Sequence, residues 1–273
     1  MNCEAISGAN YRMWAKLLVD LTTQQLNNQI VNTIFHITEI DSTNNYLKNL
    51  LHNQYIEDGA VVYTDFQTSG KGQRGNSWES ERGKNLLFSI LLHPYKIKAS
   101  EQFIISQAVS LGVAQFLNKY TDGITIKWPN DIYWREKKIC GILIENTLEG
   151  DTIKDSICGI GININQAEFC SNAPNPVSLR QITGEEYNLD FMLKEVVDSI
   201  MYYYAMLQRG KSMAISDQYK NTLFRRDGFY LYNDGNVDFC ARIKNVKHNG
   251  ILVLETEEGE ERSFAFKEVK YML

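Results

Sequence analysis

The sequence lacks the marks of several large classes of protein. None of its apolar runs reaches the about 20 residues that a membrane span needs, and its start has no basic segment followed by an apolar stretch, so no signal peptide is indicated. The five cysteines are an odd set without a C-x-x-C pair, which argues against a disulfide framework and a zinc site. We therefore expect a cytoplasmic protein with reduced thiols.

Several catalytic and nucleic-acid-binding signatures are missing too. The four histidines are scattered without a partner at metal-ligand spacing, and neither a G-x-S-x-G elbow nor a Walker A loop is present. The formal net charge is −5, whereas proteins that bind nucleic acid usually carry a clustered basic surface. We expect no nucleic-acid partner and no membrane partner. A small anionic ligand is still allowed, because local charge decides its binding.

Residues 70–75 read GKGQRG, a literal match to the glycine pattern of dinucleotide-binding loops. That fingerprint must follow a strand and open a helix. A strand is indicated at 60–66, but 76–85 has no apolar residues at helical spacing, and 86–93 reads as another strand. The loop also carries Lys71 and Arg74. The context favours a basic, mobile loop that folds over an anion, rather than a Rossmann turn.

The pattern along the chain predicts three parts. Residues 1–31 form an N-terminal extension without a DNA-binding domain, 32–224 an α+β domain, and 225–273 a small β domain of SH3 size. In the middle part, strands are expected at 33–40, 60–66, 86–93, 123–128, 131–134, 138–148 and 155–164, with helices at 42–53, 100–120 and 190–210.

Three further segments attract attention: KWPND at 127–131, KKICGILIE at 137–145 and GIGINI at 159–164. Each alone fits a solvated hairpin or a β-bulge as well as a site. Together with the basic loop they suit a ligand that is part apolar and part anionic, with glycines that permit close approach to the backbone. Activation of a carboxylate by a nucleotide needs such a set, because cations in a dry pocket offset the repulsion between carboxylate and α-phosphate. A closing loop then keeps water from the acyl-adenylate.

These motifs, in this order and together with DSTN at 41–44, resemble those of the biotin–protein ligases, the catalytic part of the bacterial biotin ligase/repressor family. The resemblance runs from about Phe35 to the C-terminus and indicates the ligase-only subtype. It implies an α+β fold in which a mixed-sheet biotin/lipoate ligase-like catalytic domain is followed by a small SH3-like β-barrel. It also implies ATP and Mg²⁺ as co-substrates and biotin as substrate, without a prosthetic group. Biotinyl-5′-AMP forms first, and biotin then passes to a lysine of a biotin carboxyl carrier protein. The protein would be a monomer or a weak homodimer.

The resemblance also assigns roles to residues. Lys138 would be the principal catalytic residue, assisted by Lys71 and Arg74, and Asp131 would be a magnesium ligand. Biotin would be bound by Ser42, Thr43, Asn44, Gln67, Gly70, Lys71, Gly72, Trp78, Lys138, Gly141, Gly159 and Ile162. The nucleotide would be bound by Gln73, Arg74, Lys127, Asn130, Asp131 and Asn163.

The loop departs from the family pattern, which has arginine where this chain has Lys71 and Gln73. Lysine keeps the charge but loses the bidentate fork, and glutamine loses the charge, so we expect weaker retention of the adenylate. Two alternatives stay open. A lipoate ligase or octanoyl transferase shares the fold, although Cys140 is expected to be a core residue rather than a nucleophile. A non-catalytic biotin sensor is the other alternative, and the presence of Lys138 argues against it.

Overall fold

The structure is a computed structural model that describes residues 33–73, 76–170 and 175–272. Thr33–Leu273 form one compact unit. The predicted extension at 1–31 lies outside the described residues. In the described part of the chain, no helix combines the length and the apolar character that crossing a membrane requires.

A seven-stranded mixed sheet forms the larger part of the unit. Its strands are β1 (Ile34–Ile40), β2 (Val61–Gln67), β3 (Leu86–Leu92), β4 (Ile124–Lys127), β5 (Asp131–Trp134), β6 (Lys137–Glu149) and β7 (Thr152–Ile162). The order across the sheet is β1-β2-β3-β7-β6-β5-β4. Only β1 and β2 pair in parallel, and the other neighbours are antiparallel. β3 is buried along its whole length, which explains its continuous apolar sequence.

Helices cover both faces of this sheet. They are α1 (Thr43–Asn53), α2 (Phe103–Leu117), α3 (Leu179–Thr183), α4 (Leu189–Gln208) and α5 (Ser212–Asn221), with a 3₁₀ turn at Ala99–Glu101. On one face Leu47 of α1 packs with Leu91 and Ile157 in a small core. On the other face α2 and α4 form the main core with residues such as Phe88 and Cys158. The alternation of side chains along a strand therefore decides which of two environments a residue faces.

A second, antiparallel sheet follows. Its strands are β8 (Tyr230–Asn233), β9 (Asp238–Val246), β10 (Leu252–Thr256), β11 (Glu261–Phe264) and β12 (Lys270–Tyr271), in the order β11-β10-β9-β8-β12. It contacts the larger sheet through Trp128, whose indole N–H donates to the Gly250 carbonyl at 2.9 Å. The expected α+β fold with a small β module is confirmed. The boundary between 224 and 225 stays a prediction, because the two sheets belong to one compact unit.

Candidate active site

A cleft of about 750 Å³ lies on the α1 side of the larger sheet, within the range of small-molecule sites. The motifs that the sequence singled out meet there. The predicted site residues that line it are Ser42, Thr43, Asn44, Gln67, Lys71, Gly72, Gln73, Trp78, Lys127, Asn130, Asp131, Lys138, Gly141, Gly159 and Asn163. Gly70 is next to the cleft, at the base of the loop, but does not line it. Arg74 lies outside the described residues, as does Gly75 of the same loop.

Strand alternation divides the residues of β6 and β7 between the cleft and the main core. Gly141 and Gly159 face the cleft. Ile162 is fully buried in the main core, because it is an odd number of residues from Gly159. It does not line the cleft, so its predicted biotin contact gains no support from the structure and stays a prediction. Cys140 is also fully buried in this core, and burial raises the pKa of its thiol, so it is not an accessible nucleophile.

A β-bulge aims Lys138 at the cleft. Ile132 pairs with Cys140 and Tyr133 with Lys138, which leaves Ile139 as an extra residue in β6. Ile139 and Cys140 both lie in the main core, so the alternation is broken between them. Without this extra residue, Lys138 would face away from Gly141. The bulge therefore puts the ammonium group and the glycine on the same side.

Strands β6 and β7 form the floor of the cleft, and their glycines make room for side chains of the site itself. A Cβ at Gly161 would lie 2.5 Å from the Trp78 indole, and one at Gly141 would lie 2.9 Å from it. A Cβ at Gly159 would lie 2.4 Å from Oδ1 of Asn44. The sequence predicted close approach to the backbone of these strands. In this structure the groups that approach are Trp78 and Asn44.

One end of the cleft is lined by neutral polar groups that belong to a hydrogen-bond network. The Thr43 backbone N–H donates to Oε1 of Gln67 at 2.8 Å. The buried Ser89 hydroxyl lies 2.7 Å from Oγ1 of Thr43 and 2.6 Å from Oδ1 of Asn44. Asn44 donates its amide N–H to Glu145 at 2.7 Å. Ser89 was not identified from the sequence, because a lone serine inside an apolar strand carries no motif.

The described residues on either side of the loop tip pair with each other and are attached to both sides of the cleft. The Gly72 N–H donates to the Asn76 carbonyl at 2.6 Å. Nζ of Lys71 donates to Oδ1 of Asn45 at 2.6 Å, which ties the loop to α1. From the turn between β11 and β12, Nζ of Lys267 donates to the Gln73 carbonyl at 3.3 Å. Lys267 also lines the cleft, which the motif analysis did not predict, because this residue lies in the turn between β11 and β12.

The other end of the cleft is rich in cations. Nζ of Lys138 forms an ion pair with Oδ1 of Asp131 at 2.7 Å and lies 5.6 Å from the centre of the Trp78 ring. Nζ of Lys127 donates to the Tyr133 hydroxyl at 3.0 Å. Burial lowers the pKa of Lys127, and the like charge of Lys138 adds to this, whereas Asp131 opposes it. The chain as a whole is acidic, yet this end concentrates positive charge in a partly desolvated place.

The fit of a magnesium ion can be judged from the carboxylates. No group of three histidine, cysteine or acidic residues suited to a metal occurs in the described ranges 33–73, 76–170 and 175–272. Asp131 therefore fits a magnesium ion only as one ligand among others. Magnesium is commonly held in this way, by one or two carboxylates together with substrate phosphates and water.

Comparisons with known proteins agree with this geometry. Residues 37–163 match the biotin/lipoate A/B protein ligase family. Over this range the chain is similar to this family. The bifunctional ligase/repressor BirA of Bacillus subtilis is 28% identical over 221 residues, which are 79% of this chain and 67% of that protein. BirA of Escherichia coli is 32% identical over 128 residues, 46% of this chain and 38% of that protein.

The solved structures give the same result over a longer part of the fold. The biotin protein ligase from Aquifex aeolicus, determined in complex with biotin and ATP, superposes with a TM-score of 0.73 at 25% identity. The match covers 88% of this chain and 99% of that one. The resemblance to biotin–protein ligases that the motifs indicated is thereby confirmed.

Proposed function

We propose that this chain is a biotin–protein ligase that joins biotin to AMP and then transfers biotin to a lysine of a biotin carboxyl carrier protein. The observation that carries the proposal is the cleft itself. It has a neutral hydrogen-bonding end at Thr43 and Gln67 and a cationic end at Lys127 and Lys138. Biotin has the matching asymmetry, since its ring system is neutral and polar and its carboxylate must meet a phosphate.

The residues divide the chemistry along the cleft. The neutral network holds the ring system of biotin, and Trp78 lines the cleft beside the aliphatic chain of biotin. Lys138 contacts the reacting carboxylate and the α-phosphate, where its positive charge stabilises the charge that develops as the acyl–phosphate bond forms. Oδ1 of Asn163 is buried without a hydrogen-bond partner among the described residues, so it can accept a hydrogen bond from the adenine amino group.

The pair formed by Lys138 and Asp131 suits this role. The carboxylate orients the ammonium group towards the cleft and compensates its charge until the anionic substrates arrive. Magnesium would neutralise the phosphates of ATP, with Asp131 as a ligand. Four thiols, at Cys140, Cys158, Cys170 and Cys240, are free, which is typical of a reducing compartment, and we place the reaction in the cytoplasm.

The decisive experiment compares substrates. Purified protein is given ATP and Mg²⁺ with either biotin or lipoate, and pyrophosphate release is followed. A purified carrier domain is then added, and its mass is measured. We expect release that depends on biotin and a carrier heavier by one biotinyl group, but not when arginine replaces the target lysine of the carrier. Release with lipoate alone would assign the chain to the sister branch of the family, and no release with either would favour a biotin sensor.

A further inference from the structure

The cationic end of the cleft contains two lysines whose charges are balanced in different ways. Lys138 is paired with Asp131 at 2.7 Å. No carboxylate of the described residues lies within salt-bridge distance of Lys127, whose ammonium group is surrounded by phenol groups instead. Nζ of Lys127 lies 4.8 Å from the centre of the Tyr133 ring and 5.2 Å from the centre of the Tyr271 ring.

The two rings come from different parts of the chain. Tyr133 is almost completely buried in β5 of the larger sheet. Tyr271 lies in β12, two residues from the C-terminus, and its ring packs against Tyr232 at 5.0 Å and Phe224 at 6.1 Å. A residue of the second sheet thus completes the surroundings of a lysine in the cleft.

Neutral rings affect a cation differently from a carboxylate. The face of an aromatic ring attracts an ammonium group through its quadrupole, but the ring adds no net charge. The rings therefore do not neutralise the positive charge of Lys127, which stays available to an incoming phosphate. One of its three N–H donors goes to the Tyr133 hydroxyl, which leaves two donors that no described residue engages.

We propose that Tyr271 is a positioning residue for nucleotide binding, because its ring face holds the Lys127 ammonium group towards the phosphates of ATP. This inference rests on the proposed function. The C-terminal β module also holds the residue that follows Lys127, which is Trp128. Trp128 donates to the Gly250 carbonyl at 2.9 Å, and its ring meets that of Phe266 edge-on at 5.4 Å. The backbone is thus held at Trp128, while Tyr271 restrains the long, flexible side chain of Lys127.

The hydroxyl of Tyr271 supplies a matched control. It is buried and has no hydrogen-bond partner in the described part of the chain, so the contact with Lys127 is made by the ring alone. Tyr271→Phe keeps that ring, and Tyr271→Leu removes it. Phe239→Leu removes another partly buried ring of the same sheet, in contact with Tyr232 and Phe264 and with no contact to Lys127.

The test measures the Kd for MgATP by calorimetry, and the KM values for ATP and for biotin in pyrophosphate release. We expect Tyr271→Leu to weaken ATP binding by about fivefold or more and to leave the KM for biotin unchanged. Tyr271→Phe and Phe239→Leu should stay within about twofold of the wild type. In a Lys127→Met background, Tyr271→Leu should have no further effect on ATP, since coupled residues are not additive.

The proposal is overturned if Tyr271→Leu leaves ATP binding unchanged, if Phe239→Leu weakens it equally at a similar loss of Tm, or if the effects of Tyr271→Leu and Lys127→Met simply add. A different result tests the proposed function. A wild type that binds ATP without biotin-dependent release would contradict the ligase, while the Kd values would still decide the role of Tyr271. A wild type that binds no ATP would overturn both.

Discussion

The two ends of the cleft are built on different principles. At the neutral end, Thr43, Gln67 and Ser89 belong to α1, β2 and β3 and are hydrogen-bonded to one another, so they are preorganised within the larger sheet. At the cationic end, Lys127 and Lys138 contact Asp131 and Tyr133 of the neighbouring strand β5, and Lys127 also contacts Tyr271 of the second sheet. Recognition of a neutral ring system needs fixed geometry, whereas binding of phosphates needs positive charge that stays available to them.

The largest difference between the ends should appear when Lys138 is removed. Lys138→Ala is expected to lower kcat for biotin-dependent pyrophosphate release by about 10²–10³, the typical effect of losing one group that stabilises the transition state. Biotin binding should change much less, since the neutral end is intact. The control is Lys137→Ala, which removes an exposed lysine at the adjacent position. Equal losses in both variants would contradict the assignment of Lys138.

A methyl group added to a glycine of β7 should disturb the cleft at its floor, where the strand meets Trp78. Gly161→Ala puts a methyl group where only 2.5 Å separates it from the Trp78 ring, and such overpacking costs about 1–3 kcal/mol. We expect the KM for biotin to rise about tenfold, with a smaller effect on ATP. A second change, Trp78→Phe, shortens the ring and should recover part of the loss. If the double variant is as poor as the sum of the single ones, the two residues do not clash as the structure indicates.

The basic loop contacts both ends of the cleft, and its residue Gln73 should affect how long the adenylate is retained. Gln73→Arg adds a cation at a position where the resemblance to biotin–protein ligases predicts arginine, and a charge-assisted hydrogen bond to the adenylate is stronger than a neutral one. Release of biotinyl-5′-AMP should slow about tenfold, measured by filter binding of the labelled adenylate. Gln54→Arg, at an exposed position after α1, adds the same charge away from the cleft. Equal off-rates in wild type and Gln73→Arg would disprove the idea.

Breaking the neutral network should have a smaller effect, limited to biotin. Ser89→Ala removes the hydroxyl that contacts Thr43 and Asn44, and a hydrogen bond contributes about 0.5–1.5 kcal/mol. The KM for biotin should rise about 2- to 10-fold, with the KM for ATP unchanged. Ser110→Ala is the control, because that buried hydroxyl has no partner among the described residues. A rise in both KM values would mean that the two ends are not independent.

The sequence predicted the fold and most of the cleft because these depend on local patterns. Alternation and turn residues located the strands, and five separate motifs met in one cleft. It failed where a non-local feature decides the geometry. The bulge at Ile139 and the orientation of Ile162 depend on pairing between strands, which one strand's sequence does not specify. Ser89 carries no motif, and only the folded arrangement brings Ser89, Lys267 and Tyr271 into contact with residues of the cleft.

A change of pH should separate the two ends without any mutation. Burial lowers the pKa of Lys127, so its charge is lost at a lower pH than the ~10.4 of an unperturbed lysine. Because the charged form binds phosphate, the Kd for MgATP should begin to rise at a pH below the ~10.4 of an unperturbed lysine, while biotin binding by neutral groups stays constant. Lys127→Arg, which keeps its charge at these pH values, should flatten the ATP profile. If the variant and the wild type lose ATP affinity in parallel, another group titrates there, and Lys127 is not the cation on which the phosphates depend.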